Sequence, residues 1–399
     1  MKVAVAGLGG FAASHHSALK QLEAEGHLKV VGACDPMAAS MPEAVDRLKQ
    51  RGMPIFESLE QMLQATQPDL VTLPTPIPLH APMHEAVVKS GAACYLEKPP
   101  TLWWPELQKM IEVDRQAKHP TRVGFNFVDD PMRWDLKRRI LNNEFGRLNQ
   151  VALRMIWPRD SVYYHRSNWP GRLQTGDHWT LDSPIGNAMA HYTQNVLFWC
   201  GSQLDQVGSI ASLKAELWRV HPIQTFDTAF VSVYTDTNIQ LRIAATHSQQ
   251  NETTEKETLH LEKADIVFDS WRAATIHHRD GRQETVESES KDTDSMLVYN
   301  LRRYVQAIQG STQPTVTTLK DSRSFVALCD LVLVSAEQIH NFPKEKTRSE
   351  ANRNYVEGLE AQLDSFLKHE TWFAGEPNSV TLEDLDRLEP AALKMVSVS

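Results

Sequence analysis

Small residues at a fixed spacing follow the first apolar run of the chain, where they suit a phosphate-binding turn. Residues 3–6 are typical of a buried strand in a parallel sheet, and residues 13–25 are predicted to form a helix. Gly7 permits a tight turn, Gly9 lets the backbone approach a pyrophosphate, and Ala12 lets the helix pack closely on the strand. The N–H groups and the dipole at the start of the helix then favour a phosphate. This stretch therefore predicts dinucleotide binding.

An acid occupies the place where such a fold binds ribose. Asp35 ends a second predicted strand, residues 28–34, roughly twenty residues beyond the glycines. Its carboxylate is expected to bind the ribose 2′-hydroxyl and to repel a 2′-phosphate. No basic residue occurs in residues 36–40 to offset that repulsion, so the sequence predicts NAD rather than NADP. The alternative, a glycine turn in some other α/β protein, leaves Asp35 unexplained.

The alternation of predicted strands and helices continues as far as residue 126. Further strands are predicted at residues 69–73, 93–96 and 122–126. Such alternation is typical of a doubly wound parallel sheet, in which ligands bind at the carboxyl ends of the strands. We therefore predict an α/β protein whose first domain, residues 1–125, is a Rossmann fold. Besides the glycine loop and Asp35, the residues at the predicted strand ends are Thr75, Pro76, Glu97, Lys98 and Asn126.

The pattern changes in the second part of the chain. Apolar Ile239, Leu241 and Ile243 alternate with polar side chains, as in an antiparallel sheet with one buried face. We predict that residues 126–399 form an α+β domain with an open, mainly antiparallel sheet, which binds substrate and mediates oligomerisation. Helices are predicted at residues 184–200, 295–309, 321–340 and 351–368, with a loosely held tail after residue 376.

At Glu97-Lys98-Pro99 the sequence resembles the Gfo/Idh/MocA oxidoreductases, which are NAD(P)-dependent enzymes acting mostly on sugars, inositols and related polyols. This tripeptide after a Rossmann strand is much more specific than the glycines alone. The resemblance covers most of the chain. It also rests on the glycine loop, Asp35, Thr75-Pro76 with His80, Gly124-Phe125-Asn126, Asp321-x-Arg323 and a histidine-bearing helix in the second domain.

The resemblance implies catalytic roles for residues in both domains. Lys98 would reach the reacting hydroxyl and the nicotinamide, and His191 would act as acid and base. Hydride transfer from a secondary alcohol requires removal of the hydroxyl proton, which such groups can take. Asn187 stands where the family has an aspartate, and an asparagine still donates to and accepts from a hydroxyl. On a regular helix it lies one turn before His191 on the same face. Apart from the resemblance, His191 would be interpreted as a core histidine.

The same resemblance, together with the glycine-loop chemistry, gives a set of predicted cofactor contacts. It also suggests a cis peptide bond between Lys98 and Pro99. The predicted cofactor-binding residues are Gly7, Gly9, Gly10, Phe11, Ala12, Asp35, Thr75, Pro76, His80, Glu97, Lys98 and Asn126.

Residues 158–182 form a predicted loop that is too long to be a simple connection and is rich in Trp, Tyr, Arg, Asp and His. Arginine forks suit carboxylates and phosphates, and aromatic faces suit sugars; the alternative interpretation is packing and surface charge. The predicted substrate contacts are Asn168, Trp169 and Arg172 in this loop and Tyr192 in the following helix. No metal is predicted, because the adjacent pairs His15-His16 and His277-His278 point apart and lack further ligands.

Composition excludes several classes of partner. The chain has 399 residues and a net charge of −9, which disfavours nucleic acid as the main partner. No apolar stretch approaches the roughly 20 residues of a membrane span, and the first residues enter a strand rather than a signal peptide. The four cysteines are far apart and show no metal or disulfide spacing. We expect a cytoplasmic protein.

These observations predict an NAD-dependent dehydrogenase that oxidises a secondary hydroxyl of a small-molecule sugar, sugar acid or polyol. One alternative is a redox-neutral NAD-dependent glycoside hydrolase or lyase of the same fold. Another is a non-catalytic sensor of dinucleotide and sugar. The apolar alternation of the second domain also predicts a homodimer or homotetramer.

Overall fold

The computed structural model describes residues 1–250 and 253–398. Its helices, in chain order, are α1 Ala12–Ala24, α2 Pro42–Gln50, α3 Leu59–Thr66, α4 His80–Lys89, α5 Trp104–Asp114, α6 Pro131–Leu141, α7 Ser161–His165, α8 Ala190–Trp199, α9 Thr293–Ile308, α10 Arg323–Ala336, α11 Leu359–His369 and α12 Leu388–Val398. Its strands are β1 Lys2–Ala6, β2 Lys29–Cys34, β3 Ile55–Phe56, β4 Leu70–Leu73, β5 Ala93–Leu96, β6 Arg122–Val123, β7 Leu148–Ile156, β8 Gln174–Thr175, β9 His178–Trp179, β10 Ile210–Arg219, β11 Thr228–Thr235, β12 Gln240–Thr246, β13 Thr254–Leu261, β14 Ala264–Ser270, β15 Ala273–His278, β16 Gln283–Glu287, β17 Ile339–Asn341, β18 Thr347–Glu350 and β19 Arg353–Val356.

The chain folds into two compact units that are not continuous in sequence. The first consists of residues 1–101, 105–130 and 290–322, and the second of the other described residues. The domain prediction places a single boundary after residue 125, whereas the structure adds a late segment to the first unit. That segment contains α9, which packs on α1 through Leu297, Leu301 and Val305. An apolar helix face from the segment that begins at residue 290 therefore completes the core of the first unit.

The first unit is built on a parallel sheet in the order β3-β2-β1-β4-β5-β6. Its strands are short, apolar and almost wholly buried, as expected when helices cover both faces. The order reverses at β1, which pairs with both β2 and β4. Such a reversal of strand order opens a crevice at the carboxyl ends of the strands, where doubly wound folds bind ligands. The predicted Rossmann fold is confirmed.

The second unit is built on a larger mixed sheet in the order β16-β15-β14-β13-β7-β12-β11-β10-β17. Most neighbours are antiparallel; β7–β12 and β10–β17 are parallel. Leu241 and Ile243 are fully buried within the unit, while Arg242, on the opposite face, donates to the Leu367 carbonyl of α11. The apolar side chains thus have partners within the chain and supply no argument for pairing with a second subunit. The homodimer or homotetramer stays a prediction.

One strand of this unit was not predicted, and several local predictions in it are wrong. Residues 210–219, which were not predicted as a strand, form β10. Residues 351–356 contribute to the β18–β19 hairpin instead of a helix. The chain after residue 376 is packed: Val380 bridges to Leu213, and Leu388, Ala392 and Met395 are buried. Within the described residues, no helix is both long enough and apolar enough to cross a membrane.

Candidate active site

The predicted phosphate loop has the backbone that its sequence requires. Gly7 has φ of 120° and donates its N–H to the Cys34 carbonyl at 2.7 Å. A Cβ at Gly7 would lie 3.1 Å from the Cβ of Ala12, which is fully buried. Gly10 also has a positive φ, 55°. Glycine is therefore needed for the turn, and the small side chain at Ala12 lets α1 start directly above β1.

The start of α1 is suited to an anion. Among the described residues no side chain caps the helix, and its first turn contains no acid, so these groups leave the positive end of the dipole open to a phosphate. Behind the loop, His16 Nε2 donates to the Gly7 carbonyl at 3.0 Å. Burial lowers the pKa of His16, which favours the neutral ring, and the neutral ring with its proton on Nε2 can still donate this hydrogen bond.

Asp35 lies at the end of β2 and contacts the glycine loop directly. Its carboxylate accepts hydrogen bonds from the backbone N–H of Leu8 at 3.0 Å and of Met37 at 2.8 Å. These bonds fix a partly exposed carboxylate beside the phosphate loop. The arrangement fits an adenosine ribose, whose hydroxyls would donate to the remaining lone pairs.

His80 holds two further strand ends together. Its Nδ1 lies 2.9 Å from the Pro99 carbonyl and its Nε2 lies 2.8 Å from the Thr75 carbonyl. The ring is fully buried, and burial lowers its pKa. We interpret His80 as a positioning residue that couples the loop at Thr75-Pro76 to the segment after Lys98.

Glu97 is fixed from two sides, which orients the residue that follows it. His15 Nε2 of α1 donates to Glu97 Oε1 at 3.0 Å, and the Lys98 N–H donates to Oε2 at 3.2 Å. A Cβ at Gly124 would lie 2.6 Å from Oε1, so glycine there makes room for the carboxylate. The Lys98–Pro99 peptide is cis, as the resemblance suggests. The part played by His15 was missed in the sequence.

Asn126 follows β6, the last strand of the parallel sheet, and is held there by two hydrogen bonds. Tyr95 Oη donates to Asn126 Oδ1 at 2.6 Å, and Asn300 Nδ2 of α9 donates to the Asn126 carbonyl at 3.1 Å. Burial raises the pKa of Tyr95 well above its usual range. The first unit thus brings the glycine loop, Asp35, Thr75, Lys98 and Asn126 to one edge of its sheet.

In the second unit, the predicted continuous helix over residues 184–200 is wrong at its start. Pro184–Ala188 forms a turn of π-helix, Met189 breaks it with φ of −103° and ψ of 16°, and α8 then begins. Asn187 lies in the π-turn and His191 in the first turn of α8. The regular one-turn spacing predicted for this pair therefore does not apply. Local π-turns often occur at functional sites.

Asp182, which no sequence motif identifies, is hydrogen-bonded to the predicted catalytic residue Asn187. Asn187 Nδ2 donates to its Oδ1 at 2.9 Å, and the Gly171 N–H donates to its Oδ2 at 2.6 Å. Burial raises the pKa of Asp182 to about 6, against these hydrogen bonds and the charge of Arg166. An ionisable carboxyl thus lies behind Asn187. Nothing local in the sequence marks Asp182.

Tyr192 and the loop residues lie in different surroundings. Tyr192 is buried, its Oη donates to Glu255 Oε2, and its ring meets Trp157 edge-on. The loop at residues 158–182 contains α7 and the short β8–β9 hairpin. Within it, Asn168 and Arg172 are exposed, and Trp169 is partly buried with the Arg166 guanidinium over its ring. No group of three or more metal-ligating side chains occurs among the described residues.

Comparison with known proteins agrees with this geometry. Residues 1–125 match the model of the oxidoreductase family with an NAD-binding Rossmann fold, Gfo/Idh/MocA. A comparison with curated proteins gave no match.

Solved structures share the fold over most of the chain. The WlbA dehydrogenase from Bordetella pertussis, in complex with NADH and UDP-GlcNAcA, is 21% identical with a TM-score of 0.67, over 84% of this chain and 96% of that one. The UDP-N-acetylglucosamine 3-dehydrogenase GnnA from Acidithiobacillus ferrooxidans is 18% identical with a TM-score of 0.67, over 84% and 97%. An NAD binding oxidoreductase from Klebsiella pneumoniae is 15% identical with a TM-score of 0.71, over 84% and 97%.

The family match and the loop geometry lead to the same interpretation of the first unit. The prediction of an oxidoreductase fold with a nicotinamide dinucleotide cofactor is confirmed at the level of the family. Residues 1–125 of this chain thus match the oxidoreductase family Gfo/Idh/MocA with its NAD-binding Rossmann fold.

Proposed function

We propose that this protein is an NAD-dependent dehydrogenase that oxidises a secondary hydroxyl of a sugar, sugar acid or polyol. One observation supports this most strongly. Lys98 follows a carboxylate that is locked by His15, at the same sheet edge as the glycine loop and Asp35. A dinucleotide held by that loop and that acid would extend along the edge towards the lysine.

The residues of the first unit would bind the cofactor and orient the reacting groups. When bound, NAD supplies the hydride acceptor. Asp35 would hold the adenosine ribose and disfavour NADP, because its charge repels a 2′-phosphate. Glu97 and His80 would fix the strand end, and Lys98 would hold or accept the proton of the reacting hydroxyl.

The residues of the second unit would recognise substrate and move its proton. His191 would complete the proton relay, and Asn187, oriented by Asp182, would hold a substrate hydroxyl. Tyr192, Asn168, Trp169 and Arg172 remain our proposed substrate contacts. Since WlbA was solved with UDP-GlcNAcA and GnnA is a UDP-N-acetylglucosamine 3-dehydrogenase, sugar nucleotides belong among the substrates to be tested.

The test is NADH formation, followed at 340 nm, with sugars, uronic acids, inositols and UDP-sugars. We expect an increase with one class of compound. Lys98→Ala should reduce kcat by roughly 10²- to 10⁴-fold. Lys89→Ala is the matched control, because Lys89 is exposed and pairs with Glu85 on α4. Equal rates in the two variants would refute the role of Lys98.

The replacement of the family aspartate by Asn187 favours one second candidate, a redox-neutral reaction on a retained cofactor. An amide stabilises an imidazolium less than a carboxylate does, so His191 would be a weaker base for the proton that a net oxidation must remove. In that case cofactor would copurify, glycoside substrates would be converted, and no net NADH would accumulate. Product analysis separates this candidate from the dehydrogenase and from a sensor without products.

A further inference from the structure

A cleft of about 850 Å³ lies within the second unit, between the loop at residues 164–172 and the segment that joins β10 to β11. Its volume is in the range of small-molecule sites. Its lining includes Tyr164, Arg172, Arg219, His221 and Asn341. The described residues that line it include arginine and histidine but no carboxylate, in a chain with a net charge of −9. The cleft is therefore a cationic site on an acidic protein.

One of its two guanidinium groups is held in place by the chain. Arg219 Nη1 donates to the carbonyls of Ile223 and Gln224, both at 2.9 Å, and its Nε donates to Asn341 Oδ1 at 3.2 Å. Arg172 also lines the cleft and is exposed. A fixed arginine and a second, exposed arginine in the lining of one cleft suit carboxylates and phosphates.

The lining of the cleft carries buried polar atoms that none of the described residues satisfies. Tyr164 Oη and His221 Nε2 are buried and have no hydrogen-bond partner among the described residues. Their rings are in contact, with centroids 5.0 Å apart. Buried polar groups in native proteins nearly always have partners, because leaving them unpaired is costly. These atoms therefore indicate a polar group supplied from outside the chain.

The histidine is oriented for such a role. His221 Nδ1 donates to Asp227 Oδ2 at 2.8 Å, and the same oxygen accepts the N–H groups of Val220 and His221 at 2.9 Å. With Nδ1 engaged, Nε2 accepts from a hydroxyl if the ring is neutral and donates to one if the ring is protonated, while Tyr164 Oη is a donor and an acceptor. A hydroxyl group fits this pair, since it both donates and accepts.

We propose that this cleft binds a hydroxylated small anion of the sugar-acid or sugar-phosphate class. Arg172 and Arg219 bind the anionic group, and Tyr164 and His221 bind a neighbouring hydroxyl. The cleft shares Arg172 with the substrate loop proposed above. It is tested by binding alone, so a failure to find dehydrogenase activity would leave it standing.

The experiment is isothermal titration of the full chain, without added NAD, with glucuronate, glucose 6-phosphate, glucose and inorganic phosphate. We expect glucuronate or glucose 6-phosphate to bind with Kd below about 1 mM, at least roughly tenfold more tightly than glucose and inorganic phosphate. Whichever charged sugar binds more tightly identifies the anionic group. If neither binds more tightly than both glucose and inorganic phosphate, the proposal is overturned.

Three single substitutions test whether the charged sugar binds in this cleft. Arg172→Gln should weaken it roughly tenfold or more. Arg282→Gln, which removes the same charge at the exposed turn between β15 and β16, should leave binding unchanged. Lys98→Ala should also bind normally, which separates this cleft from the proposed catalytic edge. Equal effects of the two arginine variants, or loss of binding in Lys98→Ala, would overturn the assignment.

Tyr164→Phe tests the buried atoms themselves. It removes an oxygen that has no hydrogen-bond partner in the part of the chain that the structure describes, so the melting temperature of the ligand-free protein should not fall. Binding of the charged sugar should weaken roughly threefold to tenfold. Unchanged binding would contradict a hydroxyl contact at Tyr164 and overturn the proposal.

Discussion

The replacement of Asp182 by asparagine tests the buried carboxyl behind Asn187. Asp182 accepts one hydrogen bond from Asn187 and one from the Gly171 N–H, each on a different oxygen. An asparagine offers one acceptor oxygen, so its NH₂ group would face one of these donors. Asp182→Asn should therefore disturb the orientation of Asn187 and lower kcat. It should also remove a titration from the folded state.

The pH dependence follows from the raised pKa. Burial raises the pKa of Asp182 from 3.8 to about 6, which corresponds to about 3 kcal/mol at 1.36 kcal/mol per pH unit. Because the folded pKa lies above the unfolded one, the stabilisation is present at low pH and is lost as the pH rises through about 6. Between pH 5 and pH 8 the wild-type free energy of unfolding, relative to Asp182→Asn, should fall by about 1.4 kcal/mol.

Urea unfolding followed by tryptophan fluorescence is the suitable assay. All ten tryptophans lie in the second unit, so the signal reports the unit that contains Asp182. Asp177→Asn, an exposed change in the same loop, is the matched control. Its free energy of unfolding should change with pH in the same way as that of the wild type. Parallel pH curves for Asp182→Asn and the wild type would refute the raised pKa.

Three further substitutions test other parts of the structure. Asp35→Asn should reduce the preference for NAD over NADP roughly tenfold, equivalent to about 1.4 kcal/mol, in titrations of both cofactors; an unchanged ratio would contradict the ribose role. Gly7→Ala should cost about 1–3 kcal/mol of stability in thermal unfolding, because φ is 120° and the new Cβ would lie 3.1 Å from that of Ala12. Glu257→Gln should cost about 3–5 kcal/mol in urea unfolding, because it breaks a fully buried bidentate pair with Arg133; a cost below about 1 kcal/mol would argue against that pairing.

The first unit was largely predictable because its signals are local. The apolar run of β1, the positive-φ glycine and the start of α1 are adjacent in sequence, and each residue is explained by its neighbours. Asp35 follows the next strand at the distance that one βαβ unit requires. The contribution of α9 could not be predicted in the same way, since its apolar face indicates burial but does not name α1 as its partner.

The second unit shows where local propensity misleads. The segment that forms β10 includes Ala211, Leu213, Lys214, Ala215 and Glu216. These residue types favour helices, whereas β-branched types favour strands. Its strand conformation is imposed by pairing with β11 on one side and β17 on the other. The packed tail likewise depends on contacts with distant residues.

In the candidate site, too, residues that belong to local motifs could be predicted, and residues that depend on long-range contacts could not. Lys98 and His191 could be named from motifs, whereas His15 and Asp182 could not. His15 meets Glu97 across 82 residues of sequence, and Asp182 reaches Asn187 because a π-turn replaces the regular helix. Residues that support a site through long-range hydrogen bonds carry no spacing signature of their own.

Transfer of a labelled hydrogen tests the central claim most directly. The most active compound from the 340 nm assay would be prepared with deuterium on the carbon that bears the reacting hydroxyl. The reduced cofactor would then be analysed by mass spectrometry. A dehydrogenase predicts one deuterium in each NADH formed and a slowed or absent transfer in Lys98→Ala. NADH without deuterium, or no NADH with any compound tested, would contradict hydride transfer from a secondary alcohol.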